Sequence, residues 1–168
     1  MRKDRTAANG LAIARTFLVC SGPKSIIDPV ATTEKLEELG VALVGFGVDR
    51  LPFFLAREAP VTLEHRVDSP ADAAAILRSS IALETDSTVL LCNPVPASMA
   101  MDAAEVADAA REAETQADAA GIDGKARTPF LLATLAQLTG GRSLESNLAL
   151  LEANARLAGE IAVEAARS

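Results

Sequence analysis

The side chains able to do covalent or acid–base chemistry are few in this chain, and their spacing narrows the choice. In "FLVCSGPKSIIDP", Phe17 to Pro29, an apolar run ends at Cys20, a Ser-Gly-Pro turn follows, and Lys24 stands just before the start of a helix. A lysine so placed can clamp a phosphate, pair with a carboxylate, act as an imine-forming nucleophile, or stand solvated in its loop. Imine chemistry needs the neutral amine, which desolvation or a neighbouring cation provides. The other lysines suit such chemistry less well. Lys35 lies among Glu34, Glu37 and Glu38 on an exposed helix face, Lys125 sits in the Gly-flanked loop "GIDGKARTP", and Lys3 is near the start of the chain. The single histidine, His65, excludes a histidine-cluster metal site. It lies in a strand-like run, where a structural role is expected rather than Ser-His-Asp catalysis. Cys20 and Cys92 each close an apolar run and have no Cys or His nearby in sequence, which predicts two buried free thiols in a reducing compartment. "SGPKS" lacks the Gly-x4-Gly-Lys spacing of a phosphate loop, and "GFGVDR" lacks the third glycine of a dinucleotide fingerprint.

The elements that must position Lys24 are legible from apolar periodicity. The runs Phe17–Cys20, Val41–Val44 and Val89–Cys92 are continuous and rich in β-branched residues, as parallel strands covered on both faces are. Val61–Val67 alternates partly and is predicted as a further strand. Asp28-Pro29 and Ser69-Pro70 are N-cap and first-turn signatures for helices reaching Leu39 and about Leu83. The order predicts an α/β fold: a mostly parallel sheet covered by helices in α-β-α layers, with a helical C-terminal portion. That portion has a helix within 101–120, another capped by Thr128-Pro129 that stops at Gly140-Gly141, and a last long helix from Ser143 to about Ala166. No linker or repeat separates residues 16–97 from 98–168, so one domain over 1–168 is expected. In open α/β sheets ligands bind beyond the carboxyl ends of the strands, and Lys24 falls in such a loop.

Composition removes other classes. The chain has 168 residues, 49% of them apolar, with five Phe and no Trp or Tyr, so its core is aliphatic and Ala-rich. The net charge of −7 and scattered arginines argue against a nucleic-acid surface. No apolar run has membrane-spanning length. Arg15 interrupts the apolar part of the N-terminal stretch, which argues against a signal peptide and for a cytoplasmic location.

Several blocks taken together resemble one family. "VCSGPKSIIDPVATTEKLEELGVALVGFGVDRLPFF", "HRVDSPADAAAILRSSIAL", "LLCNPVP" and "GKARTPFLLATLAQLTGGRSLESNLALLEANARLAGEIA" are similar, in order, to blocks of the pseudouridine-5′-phosphate glycosidases, also called pseudouridylate synthases. The resemblance covers the chain from about Arg15 and corresponds to the C-terminal half of the family fold. It implies reversible cleavage of the C–C glycosidic bond of pseudouridine 5′-phosphate to uracil and ribose 5-phosphate, through an iminium on the lysine that Lys24 matches. It also implies substrate contact by Asn147, in "SNLAL", whose other reading is an internal cap or polar core group. It further implies a phosphosugar or nucleotide ligand, homo-oligomers and Mn2+. The family's general-acid glutamate, a second substrate-binding lysine and much of the phosphate-binding surface belong to the half not matched here. By that resemblance the manganese ligand is absent or displaced in this chain, with Asp4 its candidate remnant. The competing readings are a non-catalytic remnant and a phosphosugar-binding or oligomerisation module.

Overall fold

The computed structural model describes residues 16–24, 27–85 and 87–167. Asp4, and with it the region of the expected metal remnant, lies outside the described residues. Four strands form one sheet: β1 Phe17–Cys20, β2 Ala42–Phe46, β3 His65–Val67 and β4 Val89–Cys92. Their spatial order is β1-β4-β2-β3 and every pairing is parallel. β4 is therefore central, and all four of its residues are buried. This is the condition that a continuous run such as Val89-Leu90-Leu91-Cys92 requires, because no face of it is left for water.

Alternate residues of the strands feed two cores. Leu43, Leu90 and Cys92 pack with Leu36 of α1 (Pro29–Glu38), whereas Val44, Val89 and Leu91 pack with Ala73 and Ala74 of α2 (Pro70–Ala82) and with Leu157 and Ile161 of the last helix. The α-β-α layering expected from the sequence is present. Adjacent alanines at the α2 contact, both fully buried, bring that helix close to the sheet. Both N-cap signatures act as read. Asp28 accepts from the N–H groups of Val30 and Ala31, and the Ser69 hydroxyl accepts from the Asp72 N–H.

The helical portion holds α3 (Ala103–Ala119), α4 (Arg127–Leu138) and α5 (Arg142–Ala166), with short 3-10 turns at Ala97–Met99 and Gly124–Ala126. It is not a separate layer. Val106 of α3, Leu135 of α4 and Leu150 of α5 share a core with Leu55 and Val95, which belong to the loops after β2 and β4. The helices thus roof the carboxyl edge of the sheet.

Two expectations are corrected. Thr128 is not an N-cap: α4 already begins at Arg127, continuing from the preceding 3-10 turn, and Thr128 lies inside its first turn. The strand expected over Val61–Val67 shrinks to His65–Val67, because Val61 and Leu63 bond back to Leu51 and Asp49 in an antiparallel loop rather than along β2. His65 lies in a strand, as expected, and is exposed because β3 is an edge strand among the described residues. Replacing Asp28 with alanine, which removes both cap bonds at the start of α1, is expected to cost about 1 kcal/mol in urea unfolding while Asp28→Asn costs less than half of that.

Candidate active site

Parallel pairing ends all four strands on one edge, at Cys20, Phe46, Val67 and Cys92. The segment after β1, Ser21 to Lys24, turns away from that edge and is tied to the loop after β2. The Ser21 carbonyl accepts from the Phe54 N–H at 2.9 Å. Gly22 has φ +77°, and a β-carbon on it would stand 1.8 Å from the Pro52 carbonyl oxygen, so only glycine allows the two backbones this close. Phe54 itself is held at φ +54°, an uncommon conformation for an aromatic residue and one that clusters at functional sites.

Lys24 follows this tie. It is exposed, yet it lines a narrow apolar groove with Phe54, Ala113 of α3 and Thr128, Leu131 and Leu135 of α4. Its wall is secured by Arg127, which is ion-paired with Glu114 and, at 2.8 Å, with Asp118 of α3. Those two carboxylates hold the guanidinium pKa above its ordinary value, the Asp118 hydrogen bond contributing most. The described lining of the groove contains no carboxylate. Asn147, in the first half of α5, is half-buried and does not line this groove. Its neighbour Ser146 carries a buried hydroxyl oxygen without a hydrogen-bond partner.

Three features escaped the sequence reading. The cysteines, distant in the chain, are register partners across β1 and β4. Both are free thiols, Cys92 fully buried and Cys20 half-buried. A hydrogen bond from Cys92 lowers the Cys20 pKa against the opposing effect of burial, and the Gly22 N–H adds to the lowering. The same contact, with burial, pushes Cys92 up. Phe54 also gave no warning, since its role follows from a loop contact. The third is a polar group of Ser21, Asn93 and Asn154 at the strand ends. Asn93 directly after an apolar strand, and Asn154 in the apolar stripe of the last helix, were the available signals.

No metal centre fits these residues. Among those described, no group of three or more His, Cys, Asp or Glu side chains could hold an ion, and the groove beside Lys24 is mainly hydrocarbon. Among the described residues, no helix is long and apolar enough to cross a membrane.

Residues 8–164 match the family described as indigoidine synthase A like protein. The chain belongs to that family. Curated relatives of this chain carry the name pseudouridine-5′-phosphate glycosidase. The protein of Gemmatimonas aurantiaca is 48% identical over 160 residues, covering 94% of this chain and 52% of the relative. That of Methylobacterium nodulans is 46% identical, covering 90% of this chain and 45% of its own length. Two solved structures share the fold. The prealnumycin C-glycosynthase AlnA, in complex with ribulose 5-phosphate, superposes with a TM-score of 0.82 at 35% identity. An indigoidine synthase A-like protein of Thermotoga maritima superposes with 0.84 at 38%. Each match covers 94% of this chain and 52% of that structure. The chain spans about half the length of the curated relatives it matches.

Two outcomes test this geometry. Gly22→Ala is expected to destabilise the fold by about 1–3 kcal/mol in urea unfolding, because neither the Pro52 carbonyl nor the left-handed backbone yields cheaply. In the native protein a small alkylating reagent is expected to modify Cys20 first, with a rate that rises from below the usual thiol pH range, and Cys92 only on unfolding. Equal labelling of both by peptide mass mapping would contradict the paired-thiol geometry.

Proposed function

We propose that this chain supplies the nucleophile-bearing half of a pseudouridine-5′-phosphate glycosidase, with Lys24 as the catalytic residue. One observation carries the reading: Lys24 stands at the carboxyl edge of a parallel sheet, beside an apolar groove, in a stretch matched throughout by relatives bearing that name. A C–C glycoside has no leaving oxygen to protonate, so the two-carboxylate route of ordinary glycosidases does not serve it.

In the proposed reaction the neutral Lys24 amine attacks the anomeric carbon. The N–C bond forms as the C–O bond to the ring oxygen breaks, and that oxygen takes up a proton. The amine lone pair then closes to C=N+, while the C–C bond to uracil breaks and its electrons take a proton at the uracil carbon. Water hydrolyses the iminium, releasing ribose 5-phosphate and restoring the amine. The described lining beside Lys24 has no carboxylate for the second proton, so in this reading the acid reaches the groove from outside that lining. No step is routed through manganese.

Asn147 as a contact to the substrate rests on the family resemblance, and it is not among the residues lining the groove beside Lys24. Residues 1–168 are read as one domain, because the roof helices share their core with strand-end loops. Association with further copies or with more of the same protein is supported by Leu144, Leu148 and Leu151, an exposed row on α5. A cytoplasmic location fits free thiols at Cys20 and Cys92.

The test is covalent trapping. With ribose 5-phosphate and cyanoborohydride, the intact chain is expected to gain one reduced sugar-phosphate adduct, mapped to Lys24 in preference to Lys35 and Lys125. Lys24→Ala is expected to lose it. An adduct distributed equally over the lysines, or unchanged in Lys24→Ala, overturns the assignment. Uracil release from pseudouridine 5′-phosphate then separates turnover from binding alone.

A further inference from the structure

Three side chains meet where β1 and β4 end, and the proposed chemistry makes no use of them. Ser21 is the first residue after β1, Asn93 the first after β4, and Asn154 lies midway along α5. The Asn154 carboxamide nitrogen donates to the Ser21 hydroxyl at 3.0 Å. Its oxygen accepts from the Asn93 carboxamide at 3.0 Å and lies 3.4 Å from the Ser21 hydroxyl. Ser21 is buried, and Asn93 and Asn154 are half-buried.

The position of Asn154 is itself informative. The buried stripe of α5 runs through Leu150, Leu157 and Ile161, and Asn154 falls on it where helical periodicity calls for another apolar residue. Leu157 and Ile161 already seat the helix on the sheet through the core they share with β4. The carboxamide adds a directional constraint that hydrocarbon cannot supply, at the level of the strand ends. Only Gly22 and Pro23 separate Ser21 from Lys24. Gly22 is wedged against the Pro52 carbonyl, and proline fixes its own φ. The Ser21 carbonyl is meanwhile held by the Phe54 N–H, and the Cys20 carbonyl accepts from the Asn93 N–H at 2.7 Å. Whatever orients Ser21 therefore orients the backbone that carries Lys24.

We infer that Asn154 is a positioning residue: its carboxamide braces Ser21 and Asn93 together and so fixes the direction in which the Ser21–Lys24 segment presents its amine. This rests on the reading of Lys24 as the nucleophile and adds to it a residue that touches no substrate.

The experiment uses the full chain with Asn154→Leu, Asn154→Asp and, as a control for loss of packing on the same helix, Ile161→Val. Aspartate keeps an acceptor for both the Asn93 amide and the Ser21 hydroxyl, whereas leucine keeps neither. Hydrogen exchange is measured over residues 20–24, and the rate of cyanoborohydride trapping at Lys24 is measured across ribose 5-phosphate concentrations. Asn154→Leu is expected to speed exchange in the segment by about tenfold relative to α1 and α2. It is also expected to lower the saturating trapping rate by about tenfold, with the half-saturating concentration unchanged. Asn154→Asp is expected to restore both to within about threefold of wild type, and Ile161→Val to leave both near wild type. If Asn154→Leu does not fold, Ser21→Ala removes the Ser21–Asn154 contacts from the other side while keeping the Asn93–Asn154 bond, and is expected to change exchange and trapping in the same direction. Wild-type exchange and trapping in Asn154→Leu, or equal effects from Ile161→Val, overturn the inference. If the wild-type chain forms no Lys24 adduct, the nucleophile reading fails, and the exchange data alone still decide whether Asn154 braces the segment.

Discussion

Parallel pairing of β1 with β4 is the constraint on which the rest depends. It sets Cys20 opposite Cys92 and brings both strands to an end on the same edge. Each strand end leaves backbone polar groups that the sheet no longer satisfies. The Asn93 N–H completes the ladder on the Cys20 carbonyl, and the Phe54 N–H takes the next carbonyl, that of Ser21. A loop after β2 is thereby drawn over the turn after β1, and Gly22 is required where the two backbones touch. The lysine emerges from a segment held on several sides.

The helical portion then has a clear role. Its core is shared with Leu55 and Val95, residues of the strand-end loops, so α3 and α4 cannot seat without those loops and the loops are covered only when the helices arrive. The groove beside Lys24 is a product of that union: Phe54 comes from a loop, Ala113 and Leu131 from the helical hairpin. Arg127 ties the hairpin beside its connecting turn through Glu114 and Asp118. With side chains only about a quarter and a third exposed for Arg127 and Glu114, that pair is screened less than the surface pairs elsewhere in the molecule.

The groove beside Lys24 is lined mainly by hydrocarbon, with no carboxylate among its described residues. The relatives that share this stretch are about twice as long, and an exposed leucine row on α5 offers a surface to be covered.

Much of the scaffold was written in the sequence. Continuous aliphatic runs meant strands buried on both faces, Asp28-Pro29 and Ser69-Pro70 meant helix starts, and the Ser-Gly-Pro-Lys turn marked the loop after β1, because periodicity and capping are local properties. The three-residue length of β3 was not legible, since Val61 and Leu63 bury the same side chains whether they pair with β2 or with the loop at Asp49 and Leu51. Nor was the inclusion of Thr128 in α4, which the preceding 3-10 turn decides. The family resemblance singled out Lys24 and Asn147. Only the folded chain could bring Cys20 to Cys92 across 72 residues, or set Asn93 and Asn154 on Ser21. Those contacts depend on strand order and helix seating, and a side chain's partners in space are fixed by long-range packing that no local pattern encodes.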